Sequence, residues 1–271
     1  MNLGFKIPAI MGILNITPDS FSDGGKYFSK PSSAIKKALI MNKMGADIID
    51  IGAESTRPGA SPLKPEIEIK RLKPIILGLK RKKIVISVDT RNSQTMKFAL
   101  DNGVKIINDV SSLNHDSESI NIIKKYKCFL ILMHMQGTPE TMQNNPKYNF
   151  APKDIYYFLK KQIIKCEENG IKKNRIIIDP GIGFGKTSKH NVQILQNLKI
   201  FNKLGCYTLV GLSRKRFISD LTRNEKPIDR IAGTIAANQF ALDQGIDIIR
   251  VHDVKEAMQA KIVWQVLNKK K

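Results

Sequence analysis

The chain has few cysteines, few aromatic residues and no long hydrophobic run, and each shortage excludes a class of protein. Its three cysteines, Cys128, Cys166 and Cys206, are widely spaced and form no Cys-x-x-Cys pair, which argues against a disulfide scaffold or a cysteine zinc site. Cys128 and Cys206 begin apolar runs, which predicts buried thiols in a reducing, cytoplasmic compartment. No run of eighteen apolar residues and no secretory signal pattern is present, so we expect no membrane partner.

Acidic residues are also scarce relative to basic ones. The 45 Lys and Arg against 24 Asp and Glu give a formal net charge of +21, and 35 of the basic residues are lysine. Such an excess is typical of proteins that bind nucleic acid, an anionic membrane or an anionic substrate. The lysines occur in short scattered runs without interleaved aromatics, so we interpret most as surface residues and expect no nucleic-acid partner. A basic nucleic-acid-binding module on a degenerate barrel is the alternative, and a steep salt dependence of DNA affinity would favour it.

Short apolar runs alternate eight times with longer segments of helical periodicity. The runs predict strands at 10–14, 48–51, 84–88, 106–107, 129–133, 176–178, 207–212 and 248–251. The intervening segments predict helices at 32–44, 66–79, 93–102, 118–126, 154–169, 191–204, 227–244 and 254–267. Five helical segments are followed by glycine, which favours a left-handed helix end: Gly45, Gly103, Gly170, Gly205 and Gly245.

Strands without strict alternation, separated by helices, indicate a parallel sheet that is covered on its faces. Eight βα units over about 250 residues predict an α/β fold, namely a single (β/α)8 TIM barrel. No linker or low-complexity stretch divides the chain, so we expect one domain over residues 1–271.

Almost every predicted strand ends in a polar side chain. The residues are Asn15, Glu54, Asp89, Asn108, His134, Asp179, Ser213, Arg250 and His252. In this barrel the carboxyl ends of the strands meet at one face, where active sites lie. Helix capping explains one or two such residues but not a ring of them. The sequence therefore predicts an active site at that face.

The glycine-rich segment 179–187 resembles nucleotide-binding loops but satisfies neither pattern. Pro180 stands where the P-loop requires glycine, and the third glycine of the dinucleotide pattern would fall at Lys186. We interpret the segment as a tight turn around the Asp179 carboxylate, with Phe184 available to cover a flat ring.

Asp89, Asn108 and Asp179 place two carboxylates and an amide at neighbouring strand ends. This combination suits a heterocycle with an amidine-like edge, such as a 2-amino-4-oxo ring, whose carbonyl Lys215 could bind. A structural polar network at the barrel mouth is the alternative interpretation.

Arg250 and His252 alternate onto the same side of strand eight, in the part of the barrel where phosphate sites often lie. We therefore interpret them as a clamp for an anionic leaving group. No His-Glu-x-x-His or EF-hand pattern is present, so a metal site built mainly from protein ligands is not indicated.

Eight segments in this order and spacing resemble the dihydropteroate synthase family. They are MGILNITPDSFSDGG, DIGAESTRPGA, SVDT, INDVSSL, LMHMQGTPETMQ, DPGIGFGKT, GLSRK and RVHDVKE. The resemblance runs from about residue 10 to about residue 261, with Ala53 where the family often has glycine. The nearest rival is a pterin-binding methyltransferase that uses methyltetrahydrofolate, whose ligand carries no diphosphate and needs no TPDSFSDGG, STRPG or Arg-x-His motif.

The resemblance implies condensation of 6-hydroxymethyl-7,8-dihydropterin diphosphate with 4-aminobenzoate, giving 7,8-dihydropteroate and diphosphate in tetrahydrofolate biosynthesis. It also implies Mg²⁺ as cofactor, a homodimer and inhibition by sulfonamides. The physical expectation is a dissociative, SN1-like substitution, since loss of diphosphate from a CH₂ on an electron-rich pterin leaves a delocalised cation.

The resemblance also implies roles for individual residues. Asn15 would contact Mg²⁺, and the catalytic residues would be Asp89, Lys215, Arg250 and His252. Asp89, Asn108, Asp179 and Lys215 would hold the pterin, while Arg250 and His252 would bind the diphosphate. The remaining substrate-binding residues would be Thr56, Arg57, Asp19 and Phe21 closing over the site, Ser213 and Phe184 beside 4-aminobenzoate, and Met133 and Gly211.

Overall fold

Eight parallel strands form one closed barrel in sequence order. The computed structural model describes residues 6–17, 30–55 and 59–268. Each strand pairs with the next, and the eighth pairs with the first. The strands are β1 (Ala9–Asn15), β2 (Ile48–Gly52), β3 (Val85–Asp89), β4 (Ile106–Asp109), β5 (Phe129–Met133), β6 (Ile176–Asp179), β7 (Tyr207–Val210) and β8 (Ile248–Val251). The predicted (β/α)8 barrel is confirmed.

Helices surround the barrel on its outer side. They are α1 (Pro31–Lys43), α2 (Pro65–Leu79), α3 (Ser93–Asp101), α4 (Ser119–Tyr126), α5 (Ala151–Glu168), α6 (Ser188–Gln196), α7 (Lys199–Asn202), α8 (Arg216–Leu221), α9 (Ile231–Asp243) and α10 (Val254–Leu267). All five predicted helix-ending glycines have a positive φ, between 67° and 102°. The five glycines therefore predict these helix ends correctly.

Several predicted helix boundaries are wrong, and proline at the helix start explains two of the differences. Helices α1 and α2 begin at Pro31 and Pro65, one residue before the predicted starts, because proline is favoured in the first helical turn. The predicted helix 191–204 is two helices, α6 and α7. The predicted helix 227–244 begins only at Ile231, after a 3₁₀ turn over Pro227–Asp229.

The segment after β7 also departs from the prediction. The strand ends at Val210 rather than Leu212, and the short helix α8 begins at Arg216, where the segment 211–216 predicts the opening of a helix. Cys128 and Cys166 are buried, whereas Cys206 is only partly buried, so the expectation of a buried Cys206 thiol is wrong. No helix in the described ranges is both long and apolar enough to cross a membrane.

The barrel interior changes from apolar to polar along its axis. Its apolar part contains Met11, Ile48, Ile131 and Ile248 among others, and a second apolar layer lies between the strands and the helices. Inward positions nearer the carboxyl ends are polar or charged. This polar end is the floor of the site.

Candidate active site

The carboxyl ends of the strands surround a cavity of about 850 Å³. Its wall includes residues from β1, β3 and β8 and from the segments that follow β6 and β7. Seven of the predicted site residues line it: Asn15, Asp89, Phe184, Ser213, Lys215, Arg250 and His252. The ring of strand-end residues thus forms one concave site.

Four other predicted residues lie immediately behind this wall. Asn108 and Asp179 are buried at the ends of β4 and β6, and Met133 pairs with Asp179 in the strand register. A Cβ placed on Gly211 would lie 3.8 Å from Cβ of Arg250 and 3.9 Å from Nζ of Lys215. The predicted residues Thr56, Arg57, Asp19 and Phe21 lie outside the described residues.

Arg250 connects two carboxylates on the floor of the site. Its Nε donates to Oδ2 of Asp50 at 2.7 Å, and its Nη2 donates to Oδ2 of Asp89 at 3.1 Å. Asp50 also accepts a hydrogen bond from Nδ2 of Asn108 at 3.1 Å. Sequence reasoning missed Asp50 because it lies inside β2 rather than at its end. The signal was a single carboxylate within the apolar run Ile48–Ile51.

The floor of the cavity disfavours negative charge unless a cation is near. Burial, reinforced by the Asp50 carboxylate, raises the pKa of Asp89, and Arg250 opposes this shift. Burial likewise raises the pKa of Asp179, while Lys215 and the backbone N–H of Gly181 lower it. A positively charged ring placed here would favour the ionised form of both carboxyl groups.

Lys215 reaches the cavity from a tightly held segment. The residue before it, Arg214, has a φ of 59° and pairs with Asp253, its Nε donating to Oδ2 at 2.9 Å. Nζ of Lys215 donates to the carbonyl of Ile182 and lies 4.7 Å from the centre of the Phe184 ring. Burial lowers the pKa of Lys215 to about 8, with Asp179 opposing the shift.

The loop after β6 turns back at Asp179, as the glycine-rich sequence predicts. The Asp179 carboxylate accepts from the N–H of Gly181 at 2.7 Å. Gly181 has a φ of 69°, and an added Cβ would lie 2.0 Å from the carbonyl oxygen of His134, so only glycine fits. This close approach fixes the loop against the end of β5.

Lys186 secures the same loop instead of acting as a P-loop lysine. Its buried Nζ contacts Nδ1 of His134 at 3.0 Å and donates to the carbonyls of His134 and Phe184 at 3.1 and 2.8 Å. Burial lowers the pKa of Lys186 well below its usual value. The structure therefore agrees with the rejection of a P-loop and gives His134 a structural contact.

His252 and Ser213 form a hydrogen-bonded pair at one side of the cavity. Oγ of Ser213 accepts from the backbone N–H of His252 at 3.2 Å and lies 3.0 Å from its Nδ1. Burial, reinforced by Arg250, lowers the pKa of His252 to about 3. A neutral imidazole can still offer an anion a hydrogen bond, so the lowered pKa is compatible with the predicted clamp.

The side chains of Glu54 and His190 are both engaged in structural contacts. Glu54 lines the cavity, but Arg91 binds it through Nε at 3.0 Å and Nη2 at 2.9 Å, and the N–H of Leu63 donates to it as well. His190 forms a capping box with Thr187 at the start of α6. Neither side chain is free for catalysis.

Asn15 is the one predicted metal ligand, and the donor set around it is sparse. No group of three or more His, Cys, Asp or Glu residues in the described ranges is arranged to hold a metal ion. Mg²⁺ is commonly held by one or two protein oxygens together with substrate phosphates and water. The amide of Asn15 in the cavity wall fits that arrangement.

The geometry combines recognition of a flat ring with binding of an anion. Asp89 lines the cavity with the buried Asn108 and Asp179 at neighbouring strand ends, Lys215 and Phe184 form another part of the wall, and Arg250 joins the wall from β8. A neutral heterocycle with donors along one edge and an anionic substituent matches these groups.

Comparison with known proteins agrees with this chemistry. The family of pterin-binding enzymes matches residues 11–252 of the chain. A dihydropteroate synthase of Neisseria meningitidis serogroup B is 41% identical over 269 residues, covering 98% of this chain and 94% of that protein. A dihydropteroate synthase of Escherichia coli K12 is 41% identical, covering 99% of this chain and 95% of that protein.

Solved structures show the same likeness. A Yersinia pestis dihydropteroate synthase in a sulfonamide complex superposes with a TM-score of 0.93 at 39% identity, covering 97% of this chain and 95% of that one. A Xanthomonas albilineans dihydropteroate synthase in complex with 7,8-dihydropteroate superposes with a TM-score of 0.86 at 35% identity, covering 100% and 97% of the two chains. The chain belongs to the dihydropteroate synthase family of pterin-binding enzymes.

Proposed function

We propose that the cavity joins the methylene carbon of 7,8-dihydropterin diphosphate to the amino nitrogen of 4-aminobenzoate, releasing diphosphate. The observation that carries this proposal is the position of Arg250 and His252 beside the Asp89, Asn108 and Asp179 floor. One cavity can therefore hold a ring and its anionic leaving group together. The relatives named dihydropteroate synthase support the same reaction, which is transfer of an alkyl group other than methyl.

The pterin edge fits the floor of the cavity. The carboxylate of Asp179 would accept hydrogen bonds from the ring N–H and the amino group, while Lys215 would donate to the ring carbonyl. The amide of Asn108, which donates to Asp50 through Nδ2, would accept from the pterin through its oxygen. Phe184, whose ring lies beside Nζ of Lys215, would flank 4-aminobenzoate next to the pterin.

Charge development explains how the site accelerates the reaction. Arg250 uses two of its donors on Asp50 and Asp89, and its remaining N–H groups can meet the departing diphosphate. His252 donates a further hydrogen bond as a neutral imidazole. As the C–O bond breaks, the ring becomes positive, and the neighbouring carboxylates of Asp89 and Asp179 stabilise it.

The nucleophile needs no strong base. An aniline nitrogen is nucleophilic in its neutral form, and it loses its proton readily after the C–N bond has formed. Positioning of the two substrates and the electric field of the site are therefore the main catalytic contributions.

Mg²⁺ would be held by Asn15 together with diphosphate oxygens, and when bound it neutralises charge on the leaving group. Asn15 would orient the diphosphate toward Arg250. Removal of divalent cations by a chelator should abolish turnover and re-addition of Mg²⁺ should restore it; activity that persists in the chelator would contradict this assignment.

We expect diphosphate release only when the pterin diphosphate and 4-aminobenzoate are both present. A coupled assay that measures released diphosphate, with each substrate omitted in turn, tests this directly. Deuterium on the reacting methylene should give a normal secondary kinetic isotope effect, because the carbon becomes trigonal in a dissociative step. Sustained release over many turnovers at the same rate without 4-aminobenzoate would contradict the proposed reaction.

We further propose that the enzyme is a cytoplasmic homodimer that sulfonamides inhibit in competition with 4-aminobenzoate. The free cysteines support a reducing compartment, and exposed apolar side chains on α10, including Val263 and Leu267, support a partner surface. Light scattering of the purified protein tests the dimer, and initial rates at varied 4-aminobenzoate test the competition.

A further inference from the structure

Asp50 is a fully buried carboxylate that the reaction above does not use. It lies in the middle of β2 with an exposed fraction of 0%, between Ile49 and Ile51. Side chains alternate along a strand, so Asp50 faces the barrel interior one inward position below Gly52. Burial of a charge at such depth is costly unless specific partners compensate it.

One oxygen of Asp50 binds two residues of the site. Its Oδ2 accepts from Nε of Arg250 at 2.7 Å and from Nδ2 of Asn108 at 3.1 Å. Asp50 thereby links β2 to β8 on one side of the barrel and to β4 on the other. Its Oδ1 has no hydrogen-bond partner among the residues that the structure describes.

These bonds determine how Arg250 and Asn108 face the cavity. The guanidinium is a rigid planar fork, so bonds from Nε to Asp50 and from Nη2 to Asp89 fix the plane of the group. Nδ2 of Asn108 donates to Oδ2 of Asp50, so the amino end of the Asn108 side chain points toward Asp50. The amide oxygen of Asn108 is then the end available to accept from a ligand.

We propose that Asp50 is a positioning residue, whose buried carboxylate holds the Arg250 guanidinium and the Asn108 amide in the orientation that receives the pterin diphosphate. The role rests on the proposed function, since it concerns the same cavity and the same substrate. Asp50 does not line the cavity; it bonds to Arg250, which does, and to Asn108, which pairs with the cavity residue Asp89 in the strand register.

Ser87 provides a matched control at the same depth of the barrel. It pairs with Asp50 in the register of β2 and β3, and its exposed fraction is also 0%. Its hydroxyl has no hydrogen-bond partner among the described residues, and Ser87 does not line the cavity. A Ser87→Ala change perturbs the same layer without disturbing Arg250 or Asn108.

The first test is Asp50→Asn, which preserves shape but removes the charge. We expect kcat/KM for the pterin diphosphate to fall by about 100-fold, since displacement of a positioning group by about 1 Å can have an effect of this size. KM for 4-aminobenzoate should stay within about twofold of wild type, and Ser87→Ala should stay within about twofold in all constants. A general structural defect would instead change the kinetic constants for both substrates, and it would do so in both variants.

The second test is a double-mutant cycle with Arg250→Ala, in which unfolding temperatures report the coupling of Asp50 and Arg250 separately from the kinetics. Arg250→Ala leaves the Asp50 charge without its cation, so adding Asp50→Asn should raise the unfolding temperature of that variant. In the same background, Asp50→Asn should have a smaller effect on kcat/KM than in wild type, because only the part that acts through Asn108 remains. Additive effects on kcat/KM would overturn the role of Asp50.

The outcomes separate the two proposals. An active wild type with unchanged kinetics in Asp50→Asn overturns the positioning role and leaves the proposed function standing. A wild-type protein without activity toward the pterin diphosphate overturns the proposed function and, with it, the role of Asp50.

Discussion

Lys215→Met is expected to lower kcat/KM for the pterin diphosphate by about 10²–10³-fold while the fold is retained. Lys215 lies over Phe184, donates to the carbonyl of Ile182, and is the principal cation that opposes the raised pKa of Asp179. Methionine retains the length of the side chain but cannot donate to the ring carbonyl. Steady-state kinetics with varied pterin diphosphate give the measurement.

Stability should respond much less than activity. The change removes a buried cation that is costly to desolvate, but it also removes the partner of Asp179, and the two effects oppose each other. Lys255→Met, an exposed lysine on α10, is the control and should behave as wild type. Near-normal kinetics in Lys215→Met would remove Lys215 from the site.

The same lysine predicts a limb in the pH profile. Burial lowers its pKa to about 8, and only the protonated form donates to the ring carbonyl. In the wild type, kcat/KM for the pterin diphosphate should therefore decline as the pH rises through about 8, and the limb should be missing from the Lys215→Met profile.

Arg250→Ala is expected to lower kcat by about 10³-fold, because it removes preorganised donors at the site where charge develops on the leaving group. It should also lower the free energy of unfolding by about 3–5 kcal/mol, since Asp50 and Asp89 lose the cation between them. Arg223→Ala, which changes an exposed arginine outside the cavity wall, is the control.

The stability of Arg250→Ala should depend on pH in a defined direction. Without Arg250, the pKa of Asp89 rises further above its unfolded value, because burial and Asp50 act without opposition. The folded protein then binds more protons than the unfolded chain, so its stability falls as the pH rises from the unfolded pKa of the carboxyl toward the folded one. Chemical denaturation at pH 6 and pH 8 measures this; a variant more stable at pH 8 would contradict the assignment.

The barrel and the ring of strand-end residues could be predicted because they depend on local patterns. Isoleucine-rich runs mark the strands, glycine marks five helix ends, and a polar residue follows nearly every strand. The predicted helix starts fall one residue after Pro31 and Pro65, because the helical periodicity marks the apolar positions and not the proline that begins the first turn. The short helix α8 has too few residues to show a periodic pattern.

The parts of the site that the sequence did not predict depend on contacts between strands that are distant in the chain. Asp50 is part of the floor only because β2 faces β4 and β8 across the barrel interior, which no local pattern of its own strand records. The neutral state of His252 likewise follows from its burial next to Arg250, which lies on the cavity floor. The position of a residue in the sequence predicts that it lies at the site, whereas its burial and its neighbours in the fold determine its protonation state.

The most direct measurement is a crystal structure of the protein with a non-hydrolysable pterin diphosphate analogue and 4-aminobenzoate. The account predicts the 2-amino edge of the pterin against Asp179, the ring carbonyl at Lys215, and the diphosphate between Arg250 and His252. A pterin bound away from this floor, or a diphosphate on the opposite side of the cavity from Arg250, would contradict it.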